Sequence, residues 1–112
     1  MTSTAQLTSP ASADLLDRDY TLDHRYTRAS GRIYLSGVQA LVRLPLMQRL
    51  RDTAEGLDTG GFISGYRGSP LGGFDLELWR ARQHLEAAKV KFTPGLNEDL
   101  GATMVWGTQQ TN

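Results

Sequence analysis

The apolar positions of this chain are spread unevenly, and their spacing divides it into parts. Residues 1–13 are mostly Ser, Thr and Ala, with one Pro and almost no large apolar side chain. Such a segment cannot bury enough surface to offset its ordering entropy, and it reads as a disordered tail. Residues 14–30 are charged, with Leu15, Leu16, Tyr20, Leu22 and Tyr26 scattered without a period, and they read as an arm. Arg32-Ile33-Tyr34-Leu35 is a short β-favouring run, expected as a strand. Ser36 with Gln39 three residues on carries the signature of a capping box. Beyond it, Val38, Leu41, Val42, Leu46, Leu50 and Ala54 fall on one face at helical spacing. Pro45 removes a backbone donor and predicts a kink in that helix, and Gly56 predicts its end.

The second half repeats the alternation. Gly61-Phe62-Ile63-Ser64-Gly65-Tyr66 reads as a buried strand. Arg67 to Gly73 is too rich in Gly and Pro for regular structure. Phe74 to Ala88 reads as a helix with Phe74, Leu78, Leu85 and Ala88 on one side, Trp79 beside them, and Asp75 and Glu77 where the helix dipole favours acids. Lys89 to Thr93 is a third strand, ended by Pro94-Gly95. Asn97 is placed to cap a third helix, from Glu98 to about Gln110. Strands alternating with helices predict an α/β fold, a parallel sheet with flanking helices. Such sheets need both faces covered and more strands than these. The expectation is therefore a tail and arm over 1–30, and over 31–112 the N-terminal part of a domain that is truncated at its C-terminal end.

Composition narrows the function classes. Lys+Arg and Asp+Glu both number 12, and this neutral balance gives no electrostatic reason to propose a nucleic-acid or membrane surface. No apolar run approaches the length of a membrane span. The N-terminus lacks the order of a secretory signal, and Asp14, Asp17, Asp19 and Asp23 argue against a transit peptide, so a cytoplasmic location is expected. With no cysteine, disulfides and thiolate-held zinc or iron–sulfur sites are excluded from these residues. His24 and His84 show no metal-ligand spacing and read as surface or packing residues.

Three places could carry chemistry. The first is the glycine-rich connection Gly65-Tyr66-Arg67-Gly68-Ser69-Pro70-Leu71-Gly72-Gly73, between a strand and a helix. Ligands of open α/β sheets sit beyond the carboxyl ends of strands, and glycine lets a backbone come close to them. The segment lacks the Gly-Lys-Ser/Thr of a P-loop and the spacing of a dinucleotide fingerprint, and a tight connection without a ligand explains it equally well. The second is Asn97-Glu98-Asp99, readable as cap and dipole partners or as a carboxylate aimed into the same crevice for proton relay. The third is Arg67, whose guanidinium could fork onto a substrate carboxylate or simply be solvated.

Taken together, these segments resemble a known family. Ser36-Gly37-Val38-Gln39-Ala40-Leu41-Val42-Arg43-Leu44-Pro45, then Gly61 to Gly73, then Asn97-Glu98-Asp99-Leu100 with Trp106-Gly107, are similar to the N-terminal region of the bacterial indolepyruvate ferredoxin oxidoreductases. Those enzymes belong to the pyruvate:ferredoxin oxidoreductase superfamily. The likeness covers most of Gly31 to Gln110, and its specificity lies in the combination. It implies the pyrimidine-binding domain of the thiamine diphosphate fold, with Glu98 at the position of the glutamate that bonds N1′ of the cofactor's aminopyrimidine. It further implies that Gly65, Tyr66, Arg67, Gly68, Ser69, Pro70, Gly72, Gly73 and Asn97 face the cofactor. Mg2+ and iron–sulfur clusters would be bound by regions outside this chain, on the remainder of the polypeptide or a partner subunit. Ferredoxin would accept the electrons, and the full-length protein would be a homo-oligomer. Two other classes fit the residues without the resemblance: a free-standing phosphate- or nucleotide-binding α/β module, and a non-catalytic interaction domain.

Overall fold

The computed structural model describes residues 18–68 and 71–110, which fall into two units, one ending at Tyr34 and the other beginning at Leu35. The expected disordered tail lies outside the described residues. In the first unit the expected arm contains one short helix, α1 (His24–Thr27). Nδ1 of His24 accepts the Thr21 amide at 3.0 Å. Tyr20 is the hub of this unit. Its hydroxyl accepts the Tyr34 amide at 2.9 Å, its ring meets that of Tyr34 edge-on at 5.4 Å, and the Arg28 guanidinium lies 5.3 Å from its centroid. The strand expected at Arg32 to Leu35 is not formed. A β-favouring run becomes a strand only when another strand satisfies its amides and carbonyls, and none among the described residues pairs with this one.

The second unit begins with α2 (Gly37–Ala54), which runs unbroken through Pro45. Its start is fixed by the expected capping box: Ser36 Oγ accepts the Gln39 amide at 3.2 Å, and Gln39 Oε1 accepts the Ser36 amide at 2.9 Å. Its end is a Schellman turn. Gly56 takes φ 80°, the Leu57 amide donates to Asp52 O at 2.8 Å, and the Gly56 amide donates to Thr53 O at 3.0 Å. Of the expected apolar face, Val42 and Leu46 are buried while Leu41, Leu50 and Ala54 are exposed.

Strands β1 (Gly61–Gly65) and β2 (Val90–Pro94) pair in parallel, in register from Gly61 opposite Val90 to Gly65 opposite Pro94. Parallel neighbours need a crossover, and here it is made of α3 (Gly72–Arg80) and α4 (Arg82–Ala87). The single helix expected over Phe74 to Ala88 is thus broken at Ala81, a buried residue, and its start moves back to include Gly72 and Gly73. The last element is α5 (Glu98–Thr108), capped as expected by Asn97, whose side chain accepts the Leu100 amide at 2.9 Å. Helix α5 packs on β1, α4 on β2, and α2 against α3. The result is an α/β unit with two parallel strands and flanking helices. Its core is small: Val42, Leu46, Leu78, Ala81, Leu85 and Val90.

The amino ends of the two strands are tied to the end of α2 by a polar brace. Thr59 Oγ1 donates to Asp52 Oδ2 at 2.6 Å and Gln48 Nε2 to Asp52 Oδ1 at 2.8 Å. Arg49 donates to Thr59 O at 2.6 Å and pairs with Asp58 at 3.0 Å, while Lys89 Nζ reaches the same Asp58 oxygen at 2.7 Å. These bonds hold both carboxyls below the usual aspartate range, Asp52 chiefly through Thr59 and then Gln48, Asp58 chiefly through Lys89 and then Arg49. Lys89 makes its contact from a left-handed backbone, φ 57°. No helix among the described residues is long and apolar enough to cross a membrane.

Candidate functional site

At the opposite, carboxyl end of the strands the chain opens into a cleft of about 590 Å³ between β1, the start of α3 and α5. Its position follows from local chemistry. The Gly95 amide donates to Gly65 O at 2.7 Å, so the strand pairing continues one residue past β2 and sets where α5 can begin. A Cβ on Gly95 would lie 3.1 Å from the backbone N and Cα of Gly101, and one on Gly101 would lie 3.4 Å from Ser64 Oγ. The missing side chain at Gly95 therefore lets the first turn of α5 close on the turn after β2, while Gly101 faces Ser64 at ordinary contact distance. Residues 98, 101, 102 and 105 recur at helical spacing on the face of α5 that lines the cleft.

Glu98 and Asn97 line this cleft together with Gly65 and Tyr66, and Leu71, Phe74, Val105 and Trp106 contribute apolar wall. The carboxylate of Glu98 is exposed rather than buried, and its Oε1 accepts a hydrogen bond from the Tyr66 hydroxyl. That bond is the largest cause of a raised Tyr66 pKa; burial and the Glu98 charge add to it. Ser64 Oγ is buried with no hydrogen-bond partner among the described residues, and Ser64 lines the same cleft. A buried hydroxyl left unsatisfied is costly, and a polar ligand atom would relieve that cost.

The expected site residues divide. Gly65, Tyr66, Asn97 and Glu98 come together around the cleft. Arg67 and Gly68 line a neighbouring hollow of about 470 Å³ with Tyr66, Asp75, Trp79, Pro94, Gly95 and Leu96. The Arg67 side chain is 91% exposed and its Nε lies 3.6 Å from Asp75 Oδ2. Gly72 and Gly73, expected in an irregular connection, belong instead to the first turn of α3 and line neither hollow. The reason is local: the first helical turn leaves its amides without intrahelical partners, so glycine is tolerated there. The absent side chain of Gly72 also admits Arg67 O, which would lie 3.3 Å from a Cβ. Ser69 and Pro70 lie outside the described residues.

Sequence reasoning missed Ser64, Phe74, Gly101, Ala102, Val105 and Trp106 as lining residues, while Leu71, part of the glycine-rich connection, does line the cleft. The usable signal was the 98–101–102–105 period. Among the described residues no group of three or more His, Cys, Asp or Glu could hold a metal ion. Comparison with family models, with curated proteins and with solved structures gives no match to this chain.

Proposed function

We propose that this chain forms the pyrimidine-binding part of a thiamine diphosphate-dependent 2-oxoacid:ferredoxin oxidoreductase, acting in the oxidative decarboxylation of arylpyruvates such as indolepyruvate. The observation that carries the reading is the placement of Glu98. A carboxylate stands at the capped start of α5, beyond the carboxyl end of β1, lining an apolar cleft that Phe74 and Trp106 also wall. Crevices of that kind, with few polar groups among apolar walls, are the usual ligand sites of α/β sheets.

The residues fit an aminopyrimidine. Such a ring is flat and largely apolar, and it carries nitrogen donors and acceptors at its edge. The cleft offers aromatic walls for its faces, the Glu98 carboxylate for a ring nitrogen, and the orphan Ser64 hydroxyl for a second edge atom. When bound, the cofactor would supply the electron sink for decarboxylation. Glu98 would hold a proton at N1′ and fix the ring's protonation, the Asn97 cap would hold the helix start that carries Glu98, and Leu71 with Val105 would exclude water. The diphosphate with its Mg2+, and the iron–sulfur clusters that pass electrons to ferredoxin, would be held by the remainder of the polypeptide or a partner subunit, since cluster ligands are cysteines and this sequence has none. The enzyme would work in the cytoplasm as a homo-oligomer.

The test is Glu98→Gln in the full protein, read by hydrogen–deuterium exchange at the thiamine C2 and by single-turnover decarboxylation. A general acid–base group contributes ~10²–10⁴-fold, and a loss in that range is expected with the fold retained. Asp99→Asn is the control. It should cost little rate if Asp99 serves only the helix dipole. Wild-type exchange in Glu98→Gln would falsify the reading.

A further inference from the structure

We infer that Tyr66 is a positioning residue whose phenol hydroxyl holds one carboxylate oxygen of Glu98, so that only the other oxygen is offered to the cleft. The inference rests on the reading of Glu98 given above and deepens it.

A glutamate in the first turn of an exposed helix end has three rotatable bonds and no reason to stay in one rotamer. Here the Tyr66 hydroxyl donates to Glu98 Oε1 across 32 residues of sequence, joining the end of β1 to the start of α5. The donor is carried by a ring with few degrees of freedom. Tyr66 is half-buried and walls both hollows, so it is a partition between them. Gly68 leaves room for that ring: a Cβ there would lie 3.2 Å from Tyr66 Cε2 and 3.5 Å from Cδ2. The charged groups that share a wall with the ring are Glu98 on one side and Arg67 and Asp75 on the other. The raised phenol pKa keeps the hydroxyl protonated, and so a donor, at neutral pH.

A carboxylate has acceptor capacity on both oxygens. With Oε1 engaged, the orientation of Oε2 is set by the phenol, and a ligand N–H meets a fixed acceptor instead of a rotating one. Fixing a catalytic carboxylate in this way is worth rate, because small misplacements of a proton-transferring group are expensive.

Tyr66→Phe removes the hydroxyl and leaves the partition in place. In the full protein loaded with thiamine diphosphate, exchange at C2 should slow on the order of tenfold, the scale of one hydrogen bond to a charged group. Cofactor affinity should stay near wild type. Adding Tyr66→Phe to Glu98→Gln should cause no further loss, because Tyr66 acts through the carboxylate. Additive losses, or wild-type exchange in Tyr66→Phe, overturn the inference. A second measurement needs no cofactor. In protein labelled with ¹³C at tyrosine Cζ, the signal missing from Tyr66→Phe should titrate above the ordinary phenol value of 10.0, and Glu98→Gln should bring it down. An unchanged midpoint in Glu98→Gln rules out the latch. Wild-type C2 exchange in Glu98→Gln defeats the functional reading instead, and the titration still decides whether Tyr66 holds the carboxylate.

Discussion

Gly95 and Gly101 sit against one another where β2 hands over to α5, and they are not equivalent. A methyl group on Gly95 would meet backbone atoms of Gly101 at 3.1 Å and Asn97 O at 3.3 Å, none of which can move without moving the helix. Overpacking of that kind costs about 1–3 kcal/mol. A methyl group on Gly101 would meet the Ser64 hydroxyl at 3.4 Å, an ordinary contact, and alanine is favoured over glycine inside a helix by about 1 kcal/mol. Gly95→Ala is therefore expected to lower the midpoint of denaturant unfolding, while Gly101→Ala leaves it level or raises it. Equal midpoints would show that the helix start is free to shift. At this scale the sequence was informative where a residue acts on its own backbone. Ser36, Gln39, Gly56 and Asn97 all do what their types imply. It was silent on Ser64 and Phe74, whose roles exist only once two elements meet around them.

The elements divide by the same rule. Helices α2 and α5 and strands β1 and β2 were legible within a residue or a few at their ends, because caps, turns and periodicity are local. The strand expected at Arg32 to Leu35 was not, since strand formation depends on a partner elsewhere in the chain. The break at Ala81 had no local signal, alanine being the best helix former; burying Ala81 and Leu85 while α4 packs on β2 is a requirement of the sheet. The brace between α2 and the strands makes a prediction at this scale. Asp52 and Asp58 both titrate below the ordinary aspartate value of 3.8 in the folded chain. A depressed folded pKa gives stability that is fully present above the unfolded value and is lost as pH falls through the folded one. Unfolding midpoints should hold above pH 3.8 and drop below it, and Asp52→Asn with Asp58→Asn should flatten that drop. Salt should weaken the Asp58 part, which depends first on Lys89, more than the Asp52 part, which depends first on the neutral Thr59 hydroxyl. A drop of equal size in the double variant would remove the brace as its cause.

For the whole molecule the balance of covered and uncovered apolar surface decides behaviour. The second unit has a small apolar core, yet Leu44, Leu71, Leu76, Trp79, Leu96 and Trp106 all stand exposed, and among the described residues each strand has one unpaired edge. A two-stranded sheet is marginal alone, and exposed strand edges beside apolar surface favour association. The 112-residue chain is expected to associate with rising concentration in sedimentation velocity. A monomer at every concentration, unfolding cooperatively, would show that the small core suffices. From β1 onward the α/β alternation that the sequence predicts is present in the structure, but the extent of sheet depends on which strands pair, and no local pattern encodes it.

The hydrogen bond from the Gly95 amide to Gly65 O has a consequence for how this chain can vary. It makes the turn between β2 and α5 a gauge of fixed length, counted from the sheet to the first residue of the helix. One residue inserted between Gly95 and Asn97 would lie outside the helix, where it would lengthen the tether that holds the start of α5 beside β1 and loosen the hold of Tyr66 on Glu98. Substitution in this turn leaves that length unchanged, whereas insertion or deletion alters the span between the sheet and the carboxylate.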